Sequence, residues 1–253
     1  MSLSGHDFDS YWTKTETYEA LKKYIQMDMY NLKELVTRLI AGSSIEINPD
    51  KFQNDMTTFA SADDVLTLLV HLGYLTYDFD TCTVHIPNQE VQKEFINCIE
   101  DGGWEPVMDA IRKSEELLAA TIRGEEETVA RMIENAHQEN TSILAYNDEN
   151  SLACVIALAY YSAKENYAVY REFAGGKGFA DICFIPRKIH ADKPAVVLEL
   201  KWDKNAKGAI SQIKEKDYVD ALKDYHGNLL LAGINYDKKT KKHSCTIEKM
   251  EKV

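Results

Sequence analysis

Val196-Val197-Leu198-Glu199-Leu200-Lys201 is an apolar strand that ends on a carboxylate and an amine. Side chains of extended backbone alternate between two faces, so Glu199 and Lys201 project from the same side. Upstream lies Ile182-Cys183-Phe184-Ile185, with Asp181 at its head and the connection 186–194 between the two runs. If the two segments pair across that connection, Asp181 comes beside Glu199. Two acids then converge with an ammonium next to them, a hard-oxygen site suited to Mg²⁺ or Mn²⁺. Such a cation polarises a phosphoryl oxygen and lowers the pKa of a bound water, while the ammonium orients that water or stabilises developing negative charge. As a bare tripeptide, acid-x-Lys reads as a surface ion pair at a strand end, and it recurs at Asp237-Lys238-Lys239 in a turn. Glu199 and Lys201 differ in context: an acid one hairpin upstream, apolar residues before each, and a helix after.

Working outward, the second half alternates between helical and extended patterns. A helix is expected over 148–163, with Leu152, Val155, Ile156 and Ala159 on one stripe. Strands are expected at 168–173, 179–185 and 195–201, a helix over 206–225, and strands at 228–236 and 244–249. The order is αβββαββ. Short connections favour antiparallel neighbours, whereas the helix between the third and fourth strands allows a parallel crossover. The fold class is α/β: a mixed sheet flanked by helices, preceded by a mainly helical domain.

That preceding half shows helical spacing over 15–27 (Tyr18, Leu21, Tyr24, Ile25) and 30–40 (Leu32, Leu35, Val36, Leu39). Ser61 is a candidate N-cap for a helix carrying Val65, Leu66, Leu69 and Leu72. Tyr74-Leu75-Thr76-Tyr77 and Thr83-Val84-His85-Ile86 read as a hairpin, and a further helix follows Pro87-Asn88. Helix, hairpin, helix suggests a winged-helix-like unit over 43–100. The 61–72 stretch contains no Lys or Arg to face phosphate, so protein contact is the better expectation for it. Polar helices over 105–137 read as a connector. The expected division is a helical, winged-helix-like domain at 1–104, a connector at 105–138 and the mixed-sheet domain at 139–253.

Charge divides the chain as well. Residues 1–137 carry 11 Lys+Arg against 25 Asp+Glu, a balance of −14, and residues 138–253 carry 18 against 16, or +2. The second half tolerates a polyanion and the first repels one. No apolar run reaches the ~18 residues of a membrane span, and residues 1–7 lack a signal pattern, so a soluble, cytoplasmic protein with no membrane partner is expected. Five cysteines without C-x-x-C spacing, seven histidines without H-E-x-x-H, and no G-x-S-x-G speak against zinc sites, disulfide frameworks and serine hydrolases. His226 and His243 read as packing or surface residues, and the lysines of 238–242 as a solvated turn, with contact to backbone phosphate the lesser reading.

Gly178-Phe179-Ala180-Asp181-Ile182, Val197-Leu198-Glu199-Leu200-Lys201, Gln212-Ile213 with Tyr218, and Gly233-Ile234-Asn235-Tyr236 together resemble the PD-(D/E)XK nuclease superfamily. They look most like the C-terminal nuclease-like domain of bacterial proteins that begin with an AAA-type ATPase-like domain. The resemblance covers about residues 140–250. Residues 10–100, including Tyr11-Trp12-Thr13, resemble the helical segment that follows the ATPase core. No G-x-x-x-x-G-K-[ST] loop is present; Gly175-Gly176-Lys177-Gly178 lacks the spacing and the hydroxyl.

The resemblance implies a restriction-endonuclease-like fold and divalent-metal hydrolysis of phosphodiester bonds, with DNA the expected substrate. Asp181 and Glu199 would be the metal carboxylates, helped by the Leu200 carbonyl, and Lys201 the catalytic lysine. Gln212 would lie near the scissile phosphate, with Lys216 one turn on and Lys177 as further nucleic-acid contacts. Glu149 sits where many members place a helix glutamate that joins the metal; a first-turn acid on the helix dipole is an equal reading. Tyr218 has an ordinary core reading. Phe179 replaces an Arg found in many members, which removes one phosphate contact. The rival from another class is a non-catalytic nuclease-fold module that recruits an ATPase or protein partner through the acidic first half. RNA as substrate has no handle in the sequence.

Overall fold

The computed structural model describes residues 16–27, 30–52, 59–140, 143, 149–175, 178–215, 225 and 227–250, without the side chains of 16, 17, 51, 149, 173–175, 178, 179 and 215. The chain divides into two compact units, with the boundary between Met108 and Asp109.

The first unit holds α1 (Glu16–Gln26), α2 (Leu32–Ile40), β1 (Ile45–Glu46), α3 (Ala62–His71), β2 (Thr76–Asp78), β3 (Thr83–His85) and α4 (Gln89–Asp101). Its apolar stripes do what their spacing predicts: Leu21, Ile25, Leu32, Val36, Leu66, Leu69 and Phe95 are buried. Ser61 caps α3 through a reciprocal pair, Asp64 N–H to Ser61 Oγ at 3.4 Å and Ser61 N–H to Asp64 Oδ2 at 3.0 Å. The hairpin β2–β3 acquires a third strand in the order β1-β3-β2. That third strand has only two residues, too short for any period to show.

A helix α5 (Glu105–Arg112) spans the boundary. The second unit then runs α6 (Ser114–Arg123), α7 (Glu126–Asn140), α8 (Glu149–Ala159), α9 (Ala163–Asn166), β4 (Tyr167–Gly175), β5 (Gly178–Pro186), β6 (Ala195–Trp202), α10 (Ala206–Glu215), β7 (Leu229–Asp237) and β8 (Lys242–Met250). Gly124, at φ 80° in the left-handed region, ends α6 and lets α7 start at once. The expected 105–137 pair of helices is therefore three. The expected 148–163 helix ends at Ala159 and resumes as the single turn α9.

The five strands lie in the order β4-β5-β6-β7-β8, all antiparallel neighbours except the parallel pair β6–β7. The α10 crossover imposes that one parallel step, as the order of elements predicts. Both faces of the sheet are covered, so its central strands read as near-continuous apolar runs; every residue of β6 from Ala195 to Lys201 is buried. On one face Ile210 and Ile213 of α10 pack with Cys183, Ala195, Val197, Leu229 and Leu231. On the other, Tyr160, just after α8, tilts against Phe184 with ring centroids 5.4 Å apart and hydrogen-bonds Thr121 of α6 at 2.7 Å. The edge strand β8 is closed by α7: Glu126 accepts the Ile247 N–H at 2.7 Å and Glu134 the His243 N–H at 3.1 Å. Those two glutamates occupy backbone donors that an open edge leaves to another chain. Among the described residues, no helix is long and apolar enough to cross a membrane.

Candidate active site

The register of β5 against β6 pairs Ile182 with Leu198 and Cys183 with Val197. One step further puts Asp181 level with Glu199, and directly opposed residues of an antiparallel pair share a face. There the two strands part. Instead of a ladder hydrogen bond, the Leu200 N–H donates to Asp181 Oδ2 at 2.6 Å. A carboxylate thus closes the ladder where the two strands part.

Glu199 is 2% exposed and Lys201 7%, both within the β6 core run. Lys201 Nζ donates to Glu199 Oε1 at 2.8 Å, and Gln212 Nε2 of α10 donates to the same oxygen. A buried carboxylate stays ionised only where positive charge and hydrogen-bond donors compensate for lost water. Lys201 and Gln212 supply both here. Gln212 reaches that far because α10 lies almost on β7. A Cβ on Gly233, which pairs with Glu199 in the parallel register, would collide with the Ala206 carbonyl oxygen and come within 2.8 Å of Ala209 Cβ.

Beyond Lys201 the chain turns sharply at Asp203, whose φ of 54° lies in the left-handed region. Asn235, level with Lys201 and 4% exposed, accepts the Lys204 N–H at 2.9 Å. Asp203 gives its N–H to the Tyr236 carbonyl at 2.8 Å and accepts the Lys238 N–H at 2.8 Å. The β6–α10 turn and the β7–β8 turn are thereby stitched together at the end of the sheet where Glu199 and Lys201 lie.

Asp181, Glu199 and Lys201 are thus brought together as their spacing predicts, and Gln212, expected there only from the resemblance, joins them through Glu199. Leu200 contributes its N–H to Asp181; its side chain is buried. Glu149 is the first residue of α8, and its side chain lies outside the described residues, as do Lys177, Lys216 and Tyr218. Asn235 and Gly233 entered the sequence reading only as part of a motif, with no role given to either, and Asp203 was passed over. A polar Asn inside an apolar strand run was the available signal for the first. Nothing local marks the other two, since a close helix approach and a cross-turn contact are long-range facts.

Among the described residues, no group of three or more His, Cys, Asp and Glu side chains gathers to hold a metal. The two acids brought together, Asp181 and Glu199, are hard oxygen donors. That set fits Mg²⁺, which keeps several waters and binds through one or two carboxylates plus substrate phosphate. It lacks the His and Cys ligands on which zinc sites are usually built.

The family model described as the PD-(D/E)XK nuclease superfamily matches residues 147–245, a span that contains Asp181, Glu199, Lys201 and Gln212. The five-stranded mixed sheet flanked by helices is compatible with that superfamily's fold. No curated protein matches the chain.

Proposed function

We propose that the second unit hydrolyses phosphodiester bonds of nucleic acid, DNA first among substrates, at a site formed by Asp181, Glu199, Lys201 and Gln212 with Mg²⁺ or Mn²⁺. The observation that carries this reading is the convergence of two side chains from different elements, Lys201 and Gln212, on one oxygen of a buried Glu199 beside Asp181. Asp181, Glu199 and the Leu200 carbonyl would hold the cation, with Glu149 as a further carboxylate from α8. When bound, the cation supplies charge to polarise the phosphoryl oxygen and to lower the pKa of a water.

The chain's own groups do the rest. Lys201 orients the attacking water and stabilises charge that builds on the phosphoryl oxygens. Gln212, with Lys201, holds one oxygen of the Glu199 carboxylate in place. Asp181, fixed by the Leu200 N–H, cannot swing away to solvent. Hydrolysis adds the water oxygen to phosphorus as the bond to the leaving oxygen breaks, and the leaving oxygen takes a proton. The first unit, with its acidic charge and winged-helix-like order of elements, serves in this reading as a protein-contact module rather than a DNA reader, and an ATPase is one partner class it fits.

Incubating the full chain with plasmid and single-stranded DNA in Mg²⁺ or Mn²⁺ tests the reading. Cleavage by the wild type with a drop of ~100-fold or more in Glu199→Gln supports it. Equal cleavage by the wild type and the variant would sink it. An intact fold with no Mn²⁺ binding at millimolar concentration would leave the non-catalytic interaction module in its place.

A further inference from the structure

The chain carries a net charge of −12, yet six exposed lysines lie in or beside two turns at one end of the sheet: Lys204 after β6 with Lys207 in the first turn of α10, and Lys238, Lys239 and Lys241 between β7 and β8 with Lys242 opening β8. Strands β6 and β7 are parallel and end together, Lys201 level with Asn235 and Trp202 with Tyr236. Both turns therefore emerge beside Glu199 and Lys201.

Their backbones are held. Asn235 accepts the Lys204 N–H, and Asp203 accepts the Lys238 N–H. Asp237 accepts the Thr240 N–H at 3.0 Å and the Lys239 N–H at 2.8 Å, and those two donors hold its carboxyl below the usual range. The acidic side chains of the two turns are thus engaged mainly by main-chain amides. Among the described residues, only Lys238 of the six has an ion-pair partner, Asp203 at 3.5 Å. The opposite arrangement holds elsewhere on the same unit, where Lys113 pairs with Glu139 and Lys214 with Glu248.

We infer that these two stitched turns form a single phosphate-tracking ledge, along which the nucleic-acid backbone runs as it enters the site. This rests on the reading of that site as one acting on nucleic acid and adds the path of the substrate. A rigid turn presents ammonium groups without the ordering cost that a mobile loop carries. Lysines meeting phosphates release condensed counterions, which makes affinity strongly salt-dependent and blind to sequence. The ledge binds and positions; it makes no contribution to bond breaking.

The test is fluorescence anisotropy of labelled duplex DNA, single-stranded DNA and RNA with the full chain in Ca²⁺, over a range of salt. The variant Lys239→Gln/Lys241→Asn/Lys242→Gln leaves the Asp203 stitch in place and puts a residue tolerant of the left-handed region at position 241, whose φ is 56°. Its plot of log affinity against log salt is expected to flatten by ~0.9 for each phosphate that is no longer neutralised, with kcat at saturating substrate unchanged. Lys204→Gln/Lys207→Gln, on the other turn, should flatten it independently, which covers a folding failure of the first variant. Lys188→Gln, exposed in the connection at the far end of β6, should leave the slope unchanged. Wild-type slopes in both ledge variants would overturn the ledge while leaving the hydrolytic reading intact. Weakened binding by the variants, in a wild type that never cleaves with Mg²⁺ or Mn²⁺, would support the ledge and sink the hydrolysis. A wild type that binds none of the three probes would overturn both.

Discussion

Glu199 and Lys201 form an ion pair whose side chains are 2% and 9% exposed. Removing one partner of such a pair strands a charge in the interior at a cost of roughly 3–5 kcal/mol, whereas replacing both with neutral groups of similar shape is often neutral. Lys201→Met is therefore expected to lower unfolding free energy in urea by ~3 kcal/mol and to abolish cleavage. The double variant Glu199→Gln/Lys201→Met should recover most of the stability and none of the activity. A double variant as unstable as Lys201→Met would mean that the pair is not the unit that matters. The recovery of stability without activity is what separates a residue kept for chemistry from one kept for the fold. Both residues were legible from spacing alone, because two residues apart on a strand fixes a shared face whatever else the chain does.

At the scale of elements, α10 owes its position to Gly233. A methyl group there meets a backbone carbonyl oxygen, which has nowhere to bend. Gly233→Ala is expected to cost about 1–3 kcal/mol and to push α10 off β7, carrying Gln212 away from Glu199. The signature is a drop in kcat that exceeds what the stability change alone explains, read by comparing cleavage at a temperature where both proteins are fully folded. Helix α7 meets β8 through a buried pair, His137 Nδ1 to His243 Nε2 at 3.2 Å, with the Tyr236 ring packed against both. Burial first, and then the His243 ring, pushes His137 down to about 3; burial pushes His243 down to about 4 against the opposing pull of Glu134. Both pKa values are depressed in the folded state, so the unfolded chain binds the extra protons. The contribution of these rings to stability is complete above about pH 6.5 and is lost as pH falls from there toward about 4 for His243 and about 3 for His137. Unfolding free energy should decline over that interval by up to about 1.4 kcal/mol per pH unit for each ring, and His137→Gln/His243→Gln should flatten the decline. In the sequence His243 was only a residue near a strand start; its partner is 106 positions away, which no local pattern reports.

The whole molecule is two units of unlike charge. Up to Met108 the chain carries 7 Lys+Arg against 18 Asp+Glu, and after it 22 against 23, so nearly all the excess acid lies in the first unit. The family match lies entirely in the second. Units with separate cores unfold separately unless their interface is large. Guanidinium denaturation of the full chain is expected to show two transitions, and the end of Mg²⁺-dependent cleavage should follow only one of them. A single transition, in which activity and all secondary structure disappear together, would contradict that. The 61–72 stretch of the first unit, free of Lys and Arg, gives no reason for DNA cleavage to depend on it.

Alternation, helical spacing and turn chemistry set the order αβββαββ, the N-cap at Ser61 and the shared face of Glu199 and Lys201, because each depends on residues within one turn or one strand. The hairpin distance also brought Asp181 to Glu199, since a short connection leaves two extended segments few ways to pair. What required the folded molecule was everything that closes across distance: Gln212 landing on Glu199 over Gly233, Asp203 and Asn235 joining two turns, the glutamates of α7 capping β8, and His137 meeting His243. Such approaches are selected by the packing of whole elements, in which a single absent methyl group or one carboxylate decides how closely two surfaces come together, and a linear pattern carries no record of that distance.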